Sequence, residues 1–210
     1  RGSLARFGQQ TPIVVDGDGI VRKGNGTVAA ANAGGASSKC RQIANGFVYE
    51  GRKRVAHAVH SKKLEALDEL VESLQGQPLL VAYSFAEDLR HMQLRKIPTL
   101  TGLGRTKARA LLASWNRGAV PVLAIHPASA GEGLNLQAGG HHIAWYGLPW
   151  DAGMYKQTNG RLARSGQTHT VVVHHILARH TIERRVAQAL AAKKSSEESL
   201  FRALSGGRQS

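Results

Sequence analysis

The sequence predicts a three-layer α/β fold, in which helices cover both faces of a mainly parallel β-sheet. From Ser61 onward, short apolar segments of strand length alternate with longer segments whose apolar residues recur at helical spacing. The short segments are apolar almost throughout, which is typical of strands buried on both faces. This alternation predicts strand–helix–strand units, and therefore a parallel sheet with helices on either side.

The first regular segment predicts a helix. Ser61 can cap its start, and Gly76 followed by Pro78 ends it. The residues that recur at helical spacing are Leu64, Leu67, Leu70, Val71 and Leu74.

The alternation then continues toward the C-terminus. Leu79–Tyr83 predicts a fully apolar strand, and Ser84 with Glu87 has the spacing of a capping box that opens a helix through Gln93. Further strands are predicted at Ile97–Leu100, Pro121–Ile125, His142–Tyr146 and Thr170–Ile176. Further helices are predicted at Arg105–Asn116 and Thr181–Ala192.

The first forty residues show little of the apolar pattern that is typical of a domain core. Glycine-rich turns on both sides of Ile20 and Val21 indicate a turn-rich excursion or a small hairpin. Ala29–Ser38 is either a flexible link or the start of a helix that runs to Ala44. We expect residues 1–56 to be a linker before the domain, residues 57–192 to form the domain, and residues 193–210 to be a helical or frayed tail. Because the chain begins at Arg1 rather than Met, we expect its natural start to lie upstream.

The charge of the chain indicates an anionic partner. There are 28 Lys and Arg residues against 14 Asp and Glu residues, which gives a net charge of +14. The basic excess is spread along the whole chain, as suits a surface that neutralises phosphates. A basic protein without a nucleic-acid partner is the alternative that charge alone leaves open.

Other aspects of the composition exclude several classes of protein. The single cysteine, Cys40, excludes an internal disulfide and a thiolate metal cluster, and it fits a cytoplasmic location. The apolar runs are only long enough for strands, so we expect no membrane partner.

The sequence lacks the residues with which one lobe alone could bind a triphosphate. In an open parallel sheet, ligands bind at the carboxyl ends of the strands. No Gly-x-x-x-x-Gly-Lys-[Ser/Thr] segment occurs, and Gly102–Lys107 fails in both spacing and register. No acidic cluster follows a strand to hold magnesium. The chain alone therefore cannot hold a triphosphate by the P-loop route.

The most informative segment is Gln157–Gln167. Its two arginines, Arg161 and Arg164, are three residues apart, which predicts that both lie on one side of a helical turn and can point at one target. Guanidinium groups suit phosphate oxygens and the charge that develops during phosphoryl transfer. Gln157 and Gln167 add neutral donors and acceptors. A solvated basic helix end is the alternative.

Two segments together resemble a known family. Gln157–Gln167 is similar to motif VI of superfamily 2 helicases, in the form found in Swi/Snf-like ATPases, and His126–Leu136 resembles their motif V. Gly160 and Ala163 depart from the usual acidic residue and histidine of motif VI, and the form of motif V looks most like that of phage and prophage helicases. Leu79–Phe85 stands where motif IV belongs, and Leu100–Gly102 resembles the unit that contacts the DNA backbone.

This resemblance implies a RecA-like second lobe and a composite active site. A separate first lobe would supply the Walker lysine and hold the magnesium of ATP. Arg161 and Arg164 would be catalytic, as arginine fingers at the phosphates. The nucleotide-binding residues would be Gly131, Glu132, Gly133 and Gln157. The residues that bind nucleic acid would be Ser84, Thr101, Gly102 and Ser129.

The implied function is that of a second motor lobe in a DNA-dependent ATPase, a helicase or translocase. Its partners would be DNA, with duplex favoured, and the N-terminal RecA-like lobe of the same protein. The lobe alone would be inactive, because it lacks the P-loop. The alternative is a non-enzymatic, basic α/β module that binds nucleic acid without using a nucleotide.

Three weaker patterns leave smaller questions. His141-His142 and His174-His175 are adjacent pairs whose side chains point to opposite faces of a strand, so we expect no metal site. The three tryptophans are expected in the core. Arg52-Lys53-Arg54 is either a patch that contacts the DNA backbone or a solvated turn.

Overall fold

A computed structural model describes residues 11–15, 33–131 and 133–193. The predicted excursion between residues 16 and 26, Glu132 and almost all of the predicted tail lie outside these residues. The strands are β1 (Thr11–Val15), β2 (Phe47–Glu50), β3 (Val55–Ala58), β4 (Leu79–Ala82), β5 (Val122–Ile125), β6 (His142–Trp145) and β7 (Val172–Ala178). The helices are α1 (Ala33–Ala44), α2 (Lys62–Ser73), α3 (Ala86–Leu94), α4 (Arg105–Asn116), α5 (Ala152–Asn159) and α6 (182–193).

The main sheet has five strands in the order β1-β7-β6-β4-β5, and every neighbouring pair is parallel. A separate antiparallel hairpin consists of β2 and β3. No helix among the described residues is long and apolar enough to cross a membrane.

Each face of the sheet carries its own apolar cluster. Along β4, Leu80 and Ala82 belong to one cluster, and Leu79 and Val81 belong to the other, because successive side chains of a strand point to opposite faces. Helices supply the outer layers, with Trp115 of α4 on the first face and Leu67, Leu70 and Met92 of α2 and α3 on the second. The predicted three-layer α/β fold with a parallel sheet is confirmed.

One predicted strand is wrong. In the segment Ile97–Leu100, only Thr99 forms a β-bridge, to Ala124. The reason lies in Pro98, which has no N–H to donate and contributes only its carbonyl, 2.9 Å from the backbone nitrogen of Ala124. The segment therefore touches the sheet without extending it.

The predicted capping box is also wrong. Helix α3 begins after Phe85, and the carboxylate of Asp88 accepts hydrogen bonds from the backbone N–H groups of Phe85 (2.9 Å) and Ser84 (3.1 Å). Glu87 instead accepts from Arg90 at 2.6 Å. Asp88 takes the capping role because the helix begins one residue later than predicted, with Phe85 as its N-cap, so that Asp88 rather than Glu87 stands three residues after the cap.

The N-terminal part contains more regular structure than the sequence predicted. Strand β1 pairs with β7 at the edge of the sheet, where Pro12 is tolerated. Between the two alternatives for the alanine-rich stretch, the helix ending at Ala44 is observed, although it begins at Ala33. The proposed division at residues 56 and 57 falls inside β3, and the division of the chain into three segments stays a prediction.

Candidate nucleotide and nucleic-acid interface

The loops that follow β4 and β5 meet at the carboxyl edge of the sheet. Tyr83, directly after β4, shares a hydrogen bond between its hydroxyl and that of Thr101. The Tyr83 ring also lies edge-on to the ring of His126, which follows β5, with 5.6 Å between centroids. The 3₁₀ helix Pro127–Gly131, which contains Ser129, begins at the next residue. Ser84, Thr101 and Ser129 are therefore placed at one edge.

The hydroxyl of Ser84 is already engaged within the chain. It donates to the carbonyl of Gly147 at 2.9 Å and accepts from the guanidinium of Arg41 at 3.2 Å. A Cβ atom at Gly147 would lie 2.7 Å from the Ser84 Oγ, so only glycine allows this approach. Ser84 thus joins the ends of β4 and β6.

Arg41 is a residue of this edge that the sequence did not point to. Besides Ser84, it donates to the carbonyl of Leu148 at 2.6 Å, and its guanidinium lies 5.3 Å from the centre of the Phe85 ring. Burial lowers the pKa of Arg41, and the carboxylates of Glu183 and Asp88 act in the opposite direction. A single arginine in a segment that the sequence predicts as either a link or a helix belongs to no recognisable motif.

A buried polar network lies behind the Ser84 loop. Lys63 is fully buried, and its amino group donates to Glu183 Oε1 at 2.6 Å and to Asn45 Oδ1 at 2.9 Å. Asn45 in turn donates to both oxygens of Asp88, at 3.0 and 3.1 Å. Burial raises the pKa of Asp88 to about 6, against the hydrogen bonds that it accepts. The network links α2, α3 and α6 to the loop that follows β4.

The glycines of the two candidate loops have the backbone conformation for which glycine is favoured. Gly102, with φ of +79°, and Gly133, with φ of +73°, are both exposed, and a Cβ atom at either would have no neighbour within 4 Å. Conformation rather than space therefore requires glycine here. Gly131 ends the 3₁₀ helix, and the nucleotide-binding role assigned to Gly131, Glu132 and Gly133 stays a prediction.

The two arginines of the candidate motif VI occupy different environments. Helix α5 ends at Asn159, because Gly160, a poor helix former, follows, and turns rather than helix carry the arginines. Arg161 has an exposed fraction of 6%, whereas Arg164 is exposed. The prediction that one helical turn carries both is wrong.

Arg161 has a buried donor without a partner. Its Nε atom makes no hydrogen bond within the described part of the chain. Burial lowers the pKa of Arg161, and the charge of Arg164 lowers it further. An unpaired buried guanidinium N–H beside a second, exposed arginine fits an anionic ligand.

The two glutamines of this segment have different roles. Gln157 is exposed on α5. The side-chain amide of Gln167 donates to the carbonyls of Gln137 (3.0 Å) and Gly140 (3.1 Å), and its oxygen accepts from the N–H of His169 at 3.0 Å. Gln167 therefore joins the motif VI segment to the chain that follows motif V, and the prediction that it adds donors for a ligand is wrong.

Two of the three tryptophans lie in the core, as predicted. Trp115 donates to the carbonyl of Leu136 and Trp145 donates to Asn159 Oδ1, both at 2.9 Å. Trp150, after β6, is 47% exposed, so the prediction of a core role is wrong for it. The chain stays buried through residue 149 and reaches the surface at Trp150, just before α5.

The histidine pairs make hydrogen bonds within the core. His142 Nδ1 lies 3.0 Å from His174 Nε2, and His175 Nε2 lies 2.8 Å from the hydroxyl of Tyr155. Burial lowers the pKa of both His142 and His175 to about 4. Within the described ranges, no group of three or more His, Cys, Asp or Glu residues is arranged to hold a metal ion.

Comparison with known proteins gives consistent relatives. Protein p41 of Acyrthosiphon pisum secondary endosymbiont phage 1 is 33% identical over 186 residues, which cover 86% of this chain and 40% of the phage protein. The ATP-dependent helicase YqhH of Bacillus subtilis is 38% identical over 140 residues, or 64% of this chain and 24% of that helicase. Helicase SWR1 of Gibberella zeae is 26% identical over 168 residues, or 71% of this chain and 10% of that helicase. The chain thus spans less than half the length of each of these relatives.

A solved structure shares the fold. The C-terminal part of the Fun30 ATPase domain has a TM-score of 0.54 and 17% sequence identity, over 61% of this chain and 45% of that one. Residues 62–166, half of the 210 in the chain, match the helicase conserved C-terminal domain. The chain therefore belongs to the helicase conserved C-terminal domain family, as a RecA-like lobe whose relatives include Swi/Snf-like helicases and a phage protein.

Proposed function

We propose that the chain is the second motor lobe of a DNA-dependent ATPase, in which Arg161 and Arg164 act on the phosphates of ATP held mainly by a first RecA-like lobe. The observation that carries this proposal is the buried Nε of Arg161, which has no hydrogen-bond partner among the described residues, beside the exposed Arg164. A donor left without a partner in a folded lobe costs free energy, which a phosphate oxygen would recover. ATP, with magnesium held by the first lobe, would supply the phosphoryl group.

Under this proposal, the lobe would bind and orient the nucleotide rather than activate it alone. The exposed Gln157 and the loop with Gly131, Glu132 and Gly133 would line the nucleotide. Arg161 and Arg164 would neutralise charge that develops on the transferred phosphoryl group. Cleavage would thus depend on closure of the two lobes, and the isolated lobe would be inactive.

Nucleic acid would bind at the carboxyl edge of the sheet. Tyr83 contacts both Thr101 and His126, which places Thr101, Gly102 and Ser129 at this edge and supports a contact with the DNA backbone. We expect this DNA to be duplex. Ser84 is the weakest of the four candidates, because its hydroxyl hydrogen already bonds to Gly147. Such a motor would work in the cytoplasm of a bacterium or of a phage-infected cell.

The test is ATP hydrolysis by the full-length protein with Arg161→Ala or Arg164→Ala, with and without duplex DNA. An arginine finger contributes roughly 10³–10⁵ to the rate in related phosphoryl transfers, so each change should reduce hydrolysis to near background while duplex binding persists. Arg117→Ala, an exposed arginine at the end of α4, is the matched control. If hydrolysis survives both changes, the finger assignment is wrong.

The second candidate function, a binding module without a nucleotide, predicts a different outcome. Both substitutions would then only weaken DNA binding and flatten its salt dependence. Hydrolysis by the unaltered protein that requires duplex DNA would exclude this alternative.

A further inference from the structure

The β2–β3 hairpin carries a basic tip. Its strands pair from Phe47 opposite Ala58 to Glu50 opposite Val55, and residues 51–54 form the turn. Gly51 (φ +62°) and Arg54 (φ +53°) both adopt the left-handed conformation, which closes the turn tightly. The turn therefore presents Arg52, Lys53 and Arg54 at one place, and all three are exposed.

The base of this hairpin is fixed to the edge of the sheet described above. Phe47 is buried, and its ring lies edge-on to that of Phe85, with 5.5 Å between centroids. The hydroxyl of Tyr49 accepts a hydrogen bond from the backbone N–H of Glu87 at 2.9 Å. Since Phe85 directly follows Ser84 and Glu87 lies in the first turn of α3, the hairpin rises from the start of α3, next to the loop that follows β4.

The helix before the hairpin holds the other side of its base. The backbone N–H of Tyr49 donates to Gln42 Oε1 at 3.0 Å, and the amino group of Lys39 donates to the carbonyl of Tyr49. Arg41 of the same helix reaches Ser84. These contacts hold the hairpin in one orientation relative to the edge, so its tip is a fixed extension of that edge.

The positive charge at the tip is not neutralised within the described part of the chain. No carboxylate there forms an ion pair with Arg52 or Lys53. The nearest acidic residue in sequence, Glu50, lies 2.8 Å from His57 across the hairpin. The guanidinium of Arg54 lies over the ring of Tyr49, 4.8 Å from its centre. Arg52 and Lys53 therefore carry the charge at the tip that no ion pair among the described residues engages.

We propose that this hairpin tip binds the phosphate backbone of DNA, as an extension of the surface at Thr101 and Ser129. The inference rests on the proposed function, because that function places DNA at this edge. Two cations that form no ion pair with the described residues, on a rigid, exposed turn, are suited to phosphates, whose neutralisation releases counterions. Because backbone contacts carry no sequence information, the tip sets affinity and position rather than sequence preference.

The test is binding of the full-length protein with Arg52→Ala and Lys53→Ala to a fluorescent DNA duplex at several salt concentrations. Arg54 is left intact, because it packs on Tyr49 and has a positive φ. Each phosphate contact makes the slope of log affinity against log salt more negative by about 0.9. Two lost contacts should therefore make the salt dependence shallower by about 1.8. Affinity should fall roughly tenfold or more at 0.1 M salt.

The control is the double substitution Lys193→Ala with Arg117→Ala. These exposed residues lie at the C-terminal ends of α6 and α4, at the amino edge of the sheet, so the control removes equal charge from the far side. Its salt slope should match that of the unaltered protein. The charge-conserving change Arg52→Lys with Lys53→Arg should also bind normally.

The outcomes separate the two proposals. If the Arg52 and Lys53 double variant keeps the original slope, or loses no more than the control, the hairpin inference is wrong while the motor assignment is untouched. If the unaltered protein shows no ATP hydrolysis that duplex DNA stimulates, the proposed function fails, and this inference fails with it.

Discussion

The amino group of Lys63 lies 2.6 Å from the carboxylate of Glu183, and both side chains are almost completely buried. The two residues are 120 positions apart, so the pair joins helix α2 to helix α6 across the lobe. Asn45 and the ring of Tyr146 complete the surroundings of the amino group, at 2.9 Å and 5.2 Å. The pair is thus a structural link between the first and last helices of the predicted domain.

Substitution of Lys63 should destabilise the protein strongly. Lys63→Met would leave the carboxylate of Glu183 buried without its partner, and the loss of one member of a buried pair costs roughly 3–5 kcal/mol. Urea denaturation measures the change. The exposed neighbour Lys62, which pairs with Glu65 at the surface, is the control, and Lys62→Met should leave the free energy of unfolding unchanged. A small effect of Lys63→Met would show that the pair contributes little.

Asp88 should make the protein more stable as the pH falls from 7 to 5. Burial raises its pKa from 3.8 to about 6, so the folded state takes up a proton before the unfolded state does. Protonation therefore favours folding in this range, by roughly 1 kcal/mol between pH 7 and 5. The measurement is the stability of the unaltered protein minus that of Asp88→Asn at both pH values. A difference that stays constant would contradict the raised pKa.

The buried histidines should act in the opposite direction. His142 has a pKa lowered to about 4 by burial, so below pH 6.5 the unfolded state binds a proton that the folded state does not. The contribution of His142 to stability is therefore fully present above pH 6.5, and it is lost as the pH falls toward 4. His142→Gln should be less stable at pH 7, because it loses the bond to His174, but its stability should depend less on pH. Thermal unfolding between pH 7 and 4.5 tests this, and parallel curves for the two proteins would refute it.

Gln167 and Gln157 should separate stability from nucleotide binding. Gln167→Ala removes hydrogen bonds to the carbonyls of Gln137 and Gly140, and should lower the free energy of unfolding by roughly 1–3 kcal/mol. Gln157→Ala, at an exposed position, should leave stability unchanged but raise the KM for ATP. Denaturation and steady-state ATP hydrolysis together distinguish the two effects. An unchanged KM for Gln157→Ala would remove that residue from the proposed nucleotide site.

The buried strands of the fold could be predicted from the sequence because both of their faces are covered. β4 and β6 are buried at every position, and their sequences are apolar except for His142 at the start of β6. The hairpin could not be predicted, because β3 is exposed at three of its four residues and shows no alternation. Lys63 could have been found, since it lies four residues before Leu67 on the inward face of α2.

The residues of the candidate site could be predicted only where they lie together in one short segment of the sequence. Motif-like segments marked Arg161 and Thr101, because their residue types and spacing are unusual within a few positions. The contacts of Arg41 with Ser84 and Leu148 join residues 43 and 107 positions apart, and no short pattern contains them. The different burial of Arg161 and Arg164 likewise depends on where α5 ends, which a single glycine decides.

Gly147→Ala should test whether the Ser84 loop supports DNA binding. The added Cβ atom would lie 2.7 Å from Ser84 Oγ and 3.0 Å from Ser84 Cβ, so the loop after β4 must shift, at a cost of roughly 1–3 kcal/mol. Tyr83, which lies in this loop beside Ser84, shares a hydrogen bond with Thr101, a proposed DNA contact. The shift should therefore reduce duplex-stimulated ATP hydrolysis more than the basal rate. Adding Ser84→Gly removes both of these atoms and should restore part of the stability, because the hydrogen bonds of Ser84 to Gly147 and Arg41 are lost and Asn45 Nδ2 still lies 3.2 Å from the added atom. If the double variant also recovers DNA stimulation, the geometry of the loop matters rather than the Ser84 hydroxyl, whereas recovery of stability alone would assign the hydroxyl a direct part in the DNA contact.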